Sequence, residues 1–364
     1  PTAKSQPPKA NRQKPTANRQ LNMRMFPQAN FNLQAHNTFG APVKAANYLS
    51  IYRPDDWQGV LNDAQLRRAP TLILGGGSNI LFTRDVEGLL VHNKIQGVEV
   101  LKETPSEVWL QVGGGMNWHE LALYCVQQGW GGIENLSLIP GTVGASPIQN
   151  IGAYGVELKD TFVEAQALEL STGKPLRFSW EDCQFSYRDS VFKNEWKGKL
   201  LITHVTFRLQ KAPHQLHLEY GAIQSTLEEW EVPDPSIQEV SRAVTHIRQS
   251  KLPNPSEIGN CGSFFKNPEV PEAQYEQLKA DYPQAPGYPT QPGLVKVPAG
   301  WLIEQCGWKG KQVGRVGAYK KQALVLVNHG GATGEEAWAL AQQIQASVSD
   351  KFGILLAPEV NIYG

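Results

Sequence analysis

Between Gly113 and Gly155, ten of 43 residues are glycine, about three times the roughly 7% average. Each glycine adds to the entropy cost of ordering, so this stretch cannot be a long helix or an unbroken strand and must turn often. A second cluster, "LGGGSN" at Leu74–Asn79, places three glycines directly after an apolar strand. Glycine reaches positive φ and lets the backbone approach a ligand, which turns N–H groups into anion donors. The arrangement suits a phosphate or pyrophosphate cradle, and tight turns in a β-rich fold are the other reading. Neither GxGxxG at the right spacing nor GxxxxGK[ST] occurs, so a dinucleotide here is not held in a Rossmann or Walker fashion.

The segment "IPGTVGASPIQNIGAYG" (Ile139–Gly155) is nearly free of charge and rich in small residues. It is unsuited to a solvated loop and able to line a planar ring such as a flavin. Flavin chemistry also needs no cysteine nucleophile or metal. The four cysteines, Cys125, Cys183, Cys261 and Cys306, lie far apart without metal-site spacing. Free thiols in a reducing cytoplasm and no bound metal are expected.

A chain of 364 residues has room for two or three domains at roughly 100–200 residues each. No run approaches the ~18 apolar residues of a membrane span, and the N-terminus lacks a secretory apolar core. The 34 basic and 34 acidic side chains balance, but six basic residues and no acid fall in the first 28. The remainder is therefore acidic by six charges (28 against 34), a poor general nucleic-acid binder. Residues 1–36 read as a basic, disordered tail, too poor in apolar surface to offset the entropy of ordering. Weak electrostatic tethering and a start at Met23 are the other readings.

Strands are expected at Thr71–Leu74, Leu89–His92, Glu107–Val112, Ala165–Leu170 and Leu200–Arg208. The last alternates Leu201, Thr203, Val205, Phe207 and Leu209 on one buried face. Asn117 with Glu120, and Ser236 with Glu239, form capping boxes that start helices. After the linker "EVPDPS" (Glu231–Ser236) the pattern predicts a helix that stops before Pro253, a helix at Ala299–Cys306, a strand at Ala323–Val327 and a long helix after Thr333. Ala337, Ala341, Ile344 and Val348 give that last helix its apolar stripe. The whole reads as a larger glycine-rich α+β domain, then a smaller α/β domain, with a final strand that crosses back.

Three polar islands remain. "SYRDS" joins Tyr187, Arg188 and Asp189; "GNCGSFFKNP" holds Ser263, Lys266 and Asn267; "APEVN" sets Glu359 in an apolar strand. Taken singly, these read as an ion pair, a turn serine and a solvent-facing glutamate. GxSxG is missing, so a hydrolase has little support.

Together with "NTFG", "LGGGSNILF", "GGGMNWHEL", "KLPNP", "AGWLIEQCG" and "QALVLVN", in that order, these motifs resemble the UDP-N-acetylenolpyruvoylglucosamine reductase family from about Asn37 to the C-terminus. The resemblance implies an FAD-binding PCMH-type (vanillyl-alcohol-oxidase-like) flavin domain over residues 37–235 with its core at 41–208. A C-terminal α/β substrate domain over 236–353 and a terminal strand at 354–364 follow. It implies tightly bound FAD, NADPH as co-substrate, UDP-N-acetylglucosamine enolpyruvate as substrate, a place in peptidoglycan precursor synthesis, and a cytoplasmic monomer without membrane or nucleic-acid partner.

Carried over residue by residue, the resemblance makes Arg188, Ser263 and Glu359 catalytic. Hydride passes from flavin N5 to the enolpyruvyl terminal carbon, Ser263 protonates the adjacent carbon, and Arg188 with a protonated Glu359 stabilises the charge that develops on the carboxylate. Flavin contacts fall on Gly75, Gly76, Gly77, Ser78, Asn79, Gly141, Thr142, Gly144, Ala145, Ile151 and Gly155. Substrate contacts fall on Tyr187, Tyr220, Lys251, Asn267 and Gln322, with Tyr220 marking the inserted (type I-like) form, whose mobile loop closes over the diphosphate; a buried core tyrosine is the other reading. Cys261, Ala357 and Asn361 depart from the family pattern, and Cys261 is expected to pack. A flavin oxidase of the same cofactor class, and an inactive sugar-nucleotide binder, are the alternatives.

Overall fold

The computed structural model describes residues 26–364. The first sheet runs β1 (Gln28–Asn32), β2 (Lys44–Ile51), β5 (Val86–Asn93), β3 (Thr71–Leu74), with β2, β5 and β3 parallel. Apart from Glu87, every residue of β5 is buried, as suits a central parallel strand covered on both faces. The expected tail needs correcting here: residues 1–25 lie outside the described residues, but β1 pairs antiparallel with β2. Phe31 stacks on Tyr48 at 3.8 Å between ring centroids, and Leu33 is fully buried. Ladder bonds and two apolar contacts hold a segment whose own composition is polar.

The second sheet is antiparallel, in the order β11 (Pro175–Ser179), β10 (Phe162–Glu169), β12 (Leu200–Gln210), β7 (Glu107–Gly113), β6 (Val98–Glu103). Alternation in β12 holds only at its far end, where Arg208 and Gln210 are exposed. Nearer its start both faces are covered. Leu201 packs with Leu49, Ile51 and Val91 of the first sheet, while Ile202 joins the second sheet's own core. A central strand wedged between two layers has no solvent face.

Helix α2 (Trp118–Gln127) begins at Asn117, whose side chain accepts the Glu120 amide. Helix α4 (Ile237–Lys251) opens with the expected box of Ser236 and Glu239. It does not open the C-terminal domain, however. Val240, Val244 and Ile247 pack on Ile223 and Leu227 of α3 (Gly221–Glu229), and α4 also touches α2.

Beyond it, β13 (Gly259–Ser263), β19 (Val325–Asn328), β18 (Val316–Ala318) and β17 (Gln312–Val313) form a third sheet. The helix after Thr333, α7 (Gly334–Phe352), has the Thr333–Glu336 capping box and buries Ala337, Ala341, Ile344 and Val348. Its apolar face, Phe264 and Phe265 share one core with Leu33, Phe82 and Leu90 from the N-terminal side. The last strand, β20 (Asn361–Tyr363), crosses back and pairs parallel with β4 (Ile80–Phe82), immediately after the triple-glycine loop.

Candidate active site

Two glycine loops face each other at the centre. A Cβ on Gly76 would lie 2.9 Å from the Gly141 Cα, and one on Gly75 2.5 Å from the Thr142 Oγ1, so the backbones touch where no side chain fits. Gly77 adopts φ +65° with the His36 carbonyl packed against it, a conformation and clearance only glycine allows. Among the described residues, the backbone N–H groups of Gly76, Gly77, Ser78 and Asn79 donate to no protein acceptor. The buried Thr142 Oγ1 also has no partner. Unspent donors on a closely approached backbone fit a pyrophosphate.

These loops line a cavity of about 530 Å³ that also reaches Trp196, Ile362 and Glu359. Ten of the eleven residues expected to contact flavin line it; Gly155 does not. Gly155 sits at an exposed turn between β8 (Gly152–Ala153) and β9 (Val156–Glu157). Its φ of +83° is one that favours glycine, while a Cβ there would meet open space. Gln149, which was not anticipated, accepts from the Asn79 side-chain amide Nδ2 at 2.7 Å and ties the two loops together.

The C-terminal segment joins this cavity to the island around Ser263. On one side Asn361 donates its backbone and side-chain amides to the Asn79 carbonyl, at 3.1 and 3.0 Å. On the other the Glu359 amide donates to the Phe264 carbonyl at 2.8 Å, and the Lys266 amide to the Ala357 carbonyl at 2.9 Å. Glu359 is thereby held between the triple-glycine loop and the residue after Ser263. Ser263 itself ends β13 and is exposed. The departures at Ala357 and Asn361 thus fall on backbone pairing and on the loop contact.

Arg188 arrives from the "SYRDS" turn in the left-handed region, at φ +55°. Asn150 and Ile148 brace that turn through the Ser186 carbonyl and the Ser190 hydroxyl. Arg188 Nη2 donates to the Gly152 carbonyl, and Nε stands 3.2 Å from Glu359 Oε1. Burial raises the pKa of Glu359 from its ordinary value, against the opposing pull of Arg188, Lys193 and Lys266. Desolvation disfavours the charged form, so Glu359 is biased towards holding a proton beside a fixed cation.

Among the expected substrate contacts, Tyr187 and Asn267 meet at 3.5 Å, with Lys296 over the Tyr187 ring at 4.6 Å. Asn267 accepts the Ala299 amide at the start of α6 (Ala299–Gln305). Gln322 reaches the same helix end, its Oε1 packed against Gly300. Lys251 is exposed at the end of α4. Tyr220 is 53% exposed, against the core reading, and its ring meets Tyr154 edge-on at 5.2 Å. Tyr154 and Arg248 were both unanticipated: burial raises the Tyr154 phenol pKa against the pull of the Arg248 charge, and Arg248 Nε donates to the Leu138 carbonyl at 3.2 Å. Tyr154 lies inside the apolar motif, whereas nothing in the pattern of α4 marks Arg248. Cys261 is buried, donates to the Ile80 carbonyl at 3.3 Å and has its thiol pKa pushed up by burial to about 12. Packing is its role.

Comparison with known proteins agrees with this geometry. Residues 48–179 match the family described as an FAD binding domain, and residues 254–363 match the UDP-N-acetylenolpyruvoylglucosamine reductase C-terminal domain. The chain is 50% identical over 335 residues to the UDP-N-acetylenolpyruvoylglucosamine reductase of Amoebophilus asiaticus, covering 92% of this chain and 98% of the relative. Against that of Bacteroides fragilis it is 48% identical over 331 residues, covering 91% and 98%. Among solved structures, the UDP-N-acetylenolpyruvylglucosamine reductase of Thermus caldophilus aligns with a TM-score of 0.65 at 21% identity, over 93% of this chain and 100% of that one. That likeness shows a shared fold, with a flavin domain followed by a smaller C-terminal domain.

Proposed function

Because the chain belongs to the UDP-N-acetylenolpyruvoylglucosamine reductase family, we propose the following roles for the residues of its site. The protein is an FAD-dependent oxidoreductase that reduces UDP-N-acetylglucosamine enolpyruvate to UDP-N-acetylmuramate, a peptidoglycan precursor. When bound, FAD supplies a hydride, taken from NADPH, to the terminal carbon of the enolpyruvyl group. The amides of Gly76–Asn79 hold the pyrophosphate, and Gly141, Thr142, Gly144, Ala145 and Ile151 line the flavin's bed.

The observation that carries the reading is the pairing of Arg188 with Glu359 at 3.2 Å, on a segment bonded to both the flavin loop and Phe264. Arg188 grips the substrate carboxylate, and protonated Glu359 donates to it as negative charge develops there. Ser263 delivers a proton to the adjacent carbon, a strong base once hydride has arrived. Hydride and proton together saturate the double bond. Tyr187, Asn267 and Gln322 orient the sugar nucleotide, and Lys251 with Tyr220 meets its diphosphate from the open side. The glycine loops before α4 hold FAD, and the substrate lies between Arg188, Tyr187, Tyr220 and Lys251 on one side and residues 254–363 on the other.

A cytoplasmic monomer fits this role; among the described residues no helix is long and apolar enough to cross a membrane. The test is Ser263→Ala under single-turnover conditions. Flavin reduction by NADPH keeps its rate, while reoxidation by the sugar nucleotide slows about 10²–10⁴-fold, the usual worth of a general acid. Equal reoxidation rates in the two proteins would remove Ser263 from the mechanism.

A further inference from the structure

Lys193 lies in the wall of the flavin cavity with Glu359 and Trp196. It is half-buried and joins no ion pair among the described residues. An ammonium has three donors; the hydrogen bond seen here goes to the Arg188 carbonyl at 3.4 Å. Burial, then Lys266, lowers its pKa below that of an ordinary lysine. A cation held where it is poorly solvated is costly unless an anion offsets it. Glu359 and Asp189 pull the other way, but among the described residues neither comes within ion-pair distance of the ammonium, and Glu359 is paired with Arg188. The cavity wall therefore carries a positive charge that, among the described residues, no carboxylate meets in an ion pair.

We propose that Lys193 sets the reduction potential of the bound flavin, its charge stabilising the reduced state. Accepting a hydride brings two electrons and one proton onto the flavin, so the ring gains one negative charge, with the nicotinamide dinucleotide as the source. A fixed cation on the cavity wall favours that charge over the neutral oxidised ring. The inference rests on the reading that this cavity holds FAD. A protein without a flavin absorption spectrum would overturn that reading before any potential is measured.

The experiment is an anaerobic redox titration of the FAD-loaded full-length chain, comparing wild type with Lys193→Gln, Lys193→Met and Lys193→Arg. Gln keeps a donor for the Arg188 carbonyl but no charge, Met keeps neither, and Arg keeps the charge. Both uncharged variants should lower the midpoint potential by about 30 mV or more, a tenfold shift of a two-electron equilibrium. Arg should hold it near the wild-type value. An unchanged potential in Gln and Met with a lower kcat would make Lys193 a support for the Arg188 turn. An unchanged potential with a raised KM for the sugar nucleotide would make it a substrate ligand. Either result overturns the proposal.

Discussion

Arg188 Nε stands 3.2 Å from Glu359 Oε1, although one residue sits in a left-handed turn and the other leads into the last strand. The contact is built by the chain's return: β20 pairs with β4, and the Glu359 amide bonds to Phe264. A carboxyl whose pKa burial raises and a permanent cation thus flank one point at the edge of the cavity lined by the glycine loops.

Glu359→Gln separates the two demands on that acid. Burial raises the folded-state pKa of Glu359, so ionising it opposes folding. The penalty is absent below the unfolded value of about 4.3 and grows as pH rises through the folded value. The Gln variant should therefore match wild type near pH 4 and be equal or more stable at pH 8, as read by denaturant midpoints. Wild-type activity should decline as pH rises and Glu359 ionises, whereas the activity of the Gln variant should be lower and lack that decline. A variant less stable at pH 8 than at pH 4, relative to wild type, would contradict the sign.

Gly76→Ala tests the cradle. The added Cβ meets the Gly141 Cα at 2.9 Å, backbone against backbone, so the loops must part. Overpacking of this kind costs about 1–3 kcal/mol. FAD affinity, followed by flavin fluorescence quenching, should weaken at least tenfold, whereas Gly155→Ala at the exposed turn should leave it within about twofold.

Cys261 should resist chemistry despite lying two residues from Ser263. Its thiol is buried with a pKa near 12, and only thiolate attacks an alkylating agent. Iodoacetamide at pH 7.5 should leave Cys261 unmodified in the native protein and modify it in urea, as read by peptide mass spectrometry. Rapid native labelling with loss of activity would place it in the site.

The glycine loops were legible because crowded glycine has few physical uses, and close backbone approach is one of them. The helix starts at Asn117, Ser236 and Thr333 were legible because capping is a local rule. Strand β1 was not, since its polar residues gain order only from pairing with β2 and from Leu33. The partners of α4 were hidden as well: an apolar stripe says that a helix is buried, not against what. Arg188 and Glu359 were legible only through motif order, for nothing local links two segments that meet after the whole C-terminal domain has folded between them.

The most direct test of the central claim is NADPH consumption by the FAD-loaded protein without oxygen, with and without UDP-N-acetylglucosamine enolpyruvate. Many equivalents should be consumed when the sugar nucleotide is present and about one without it. Consumption stopping at one equivalent in both cases would mean a working flavin with a different acceptor, and would contradict the roles assigned to Arg188, Ser263 and Glu359.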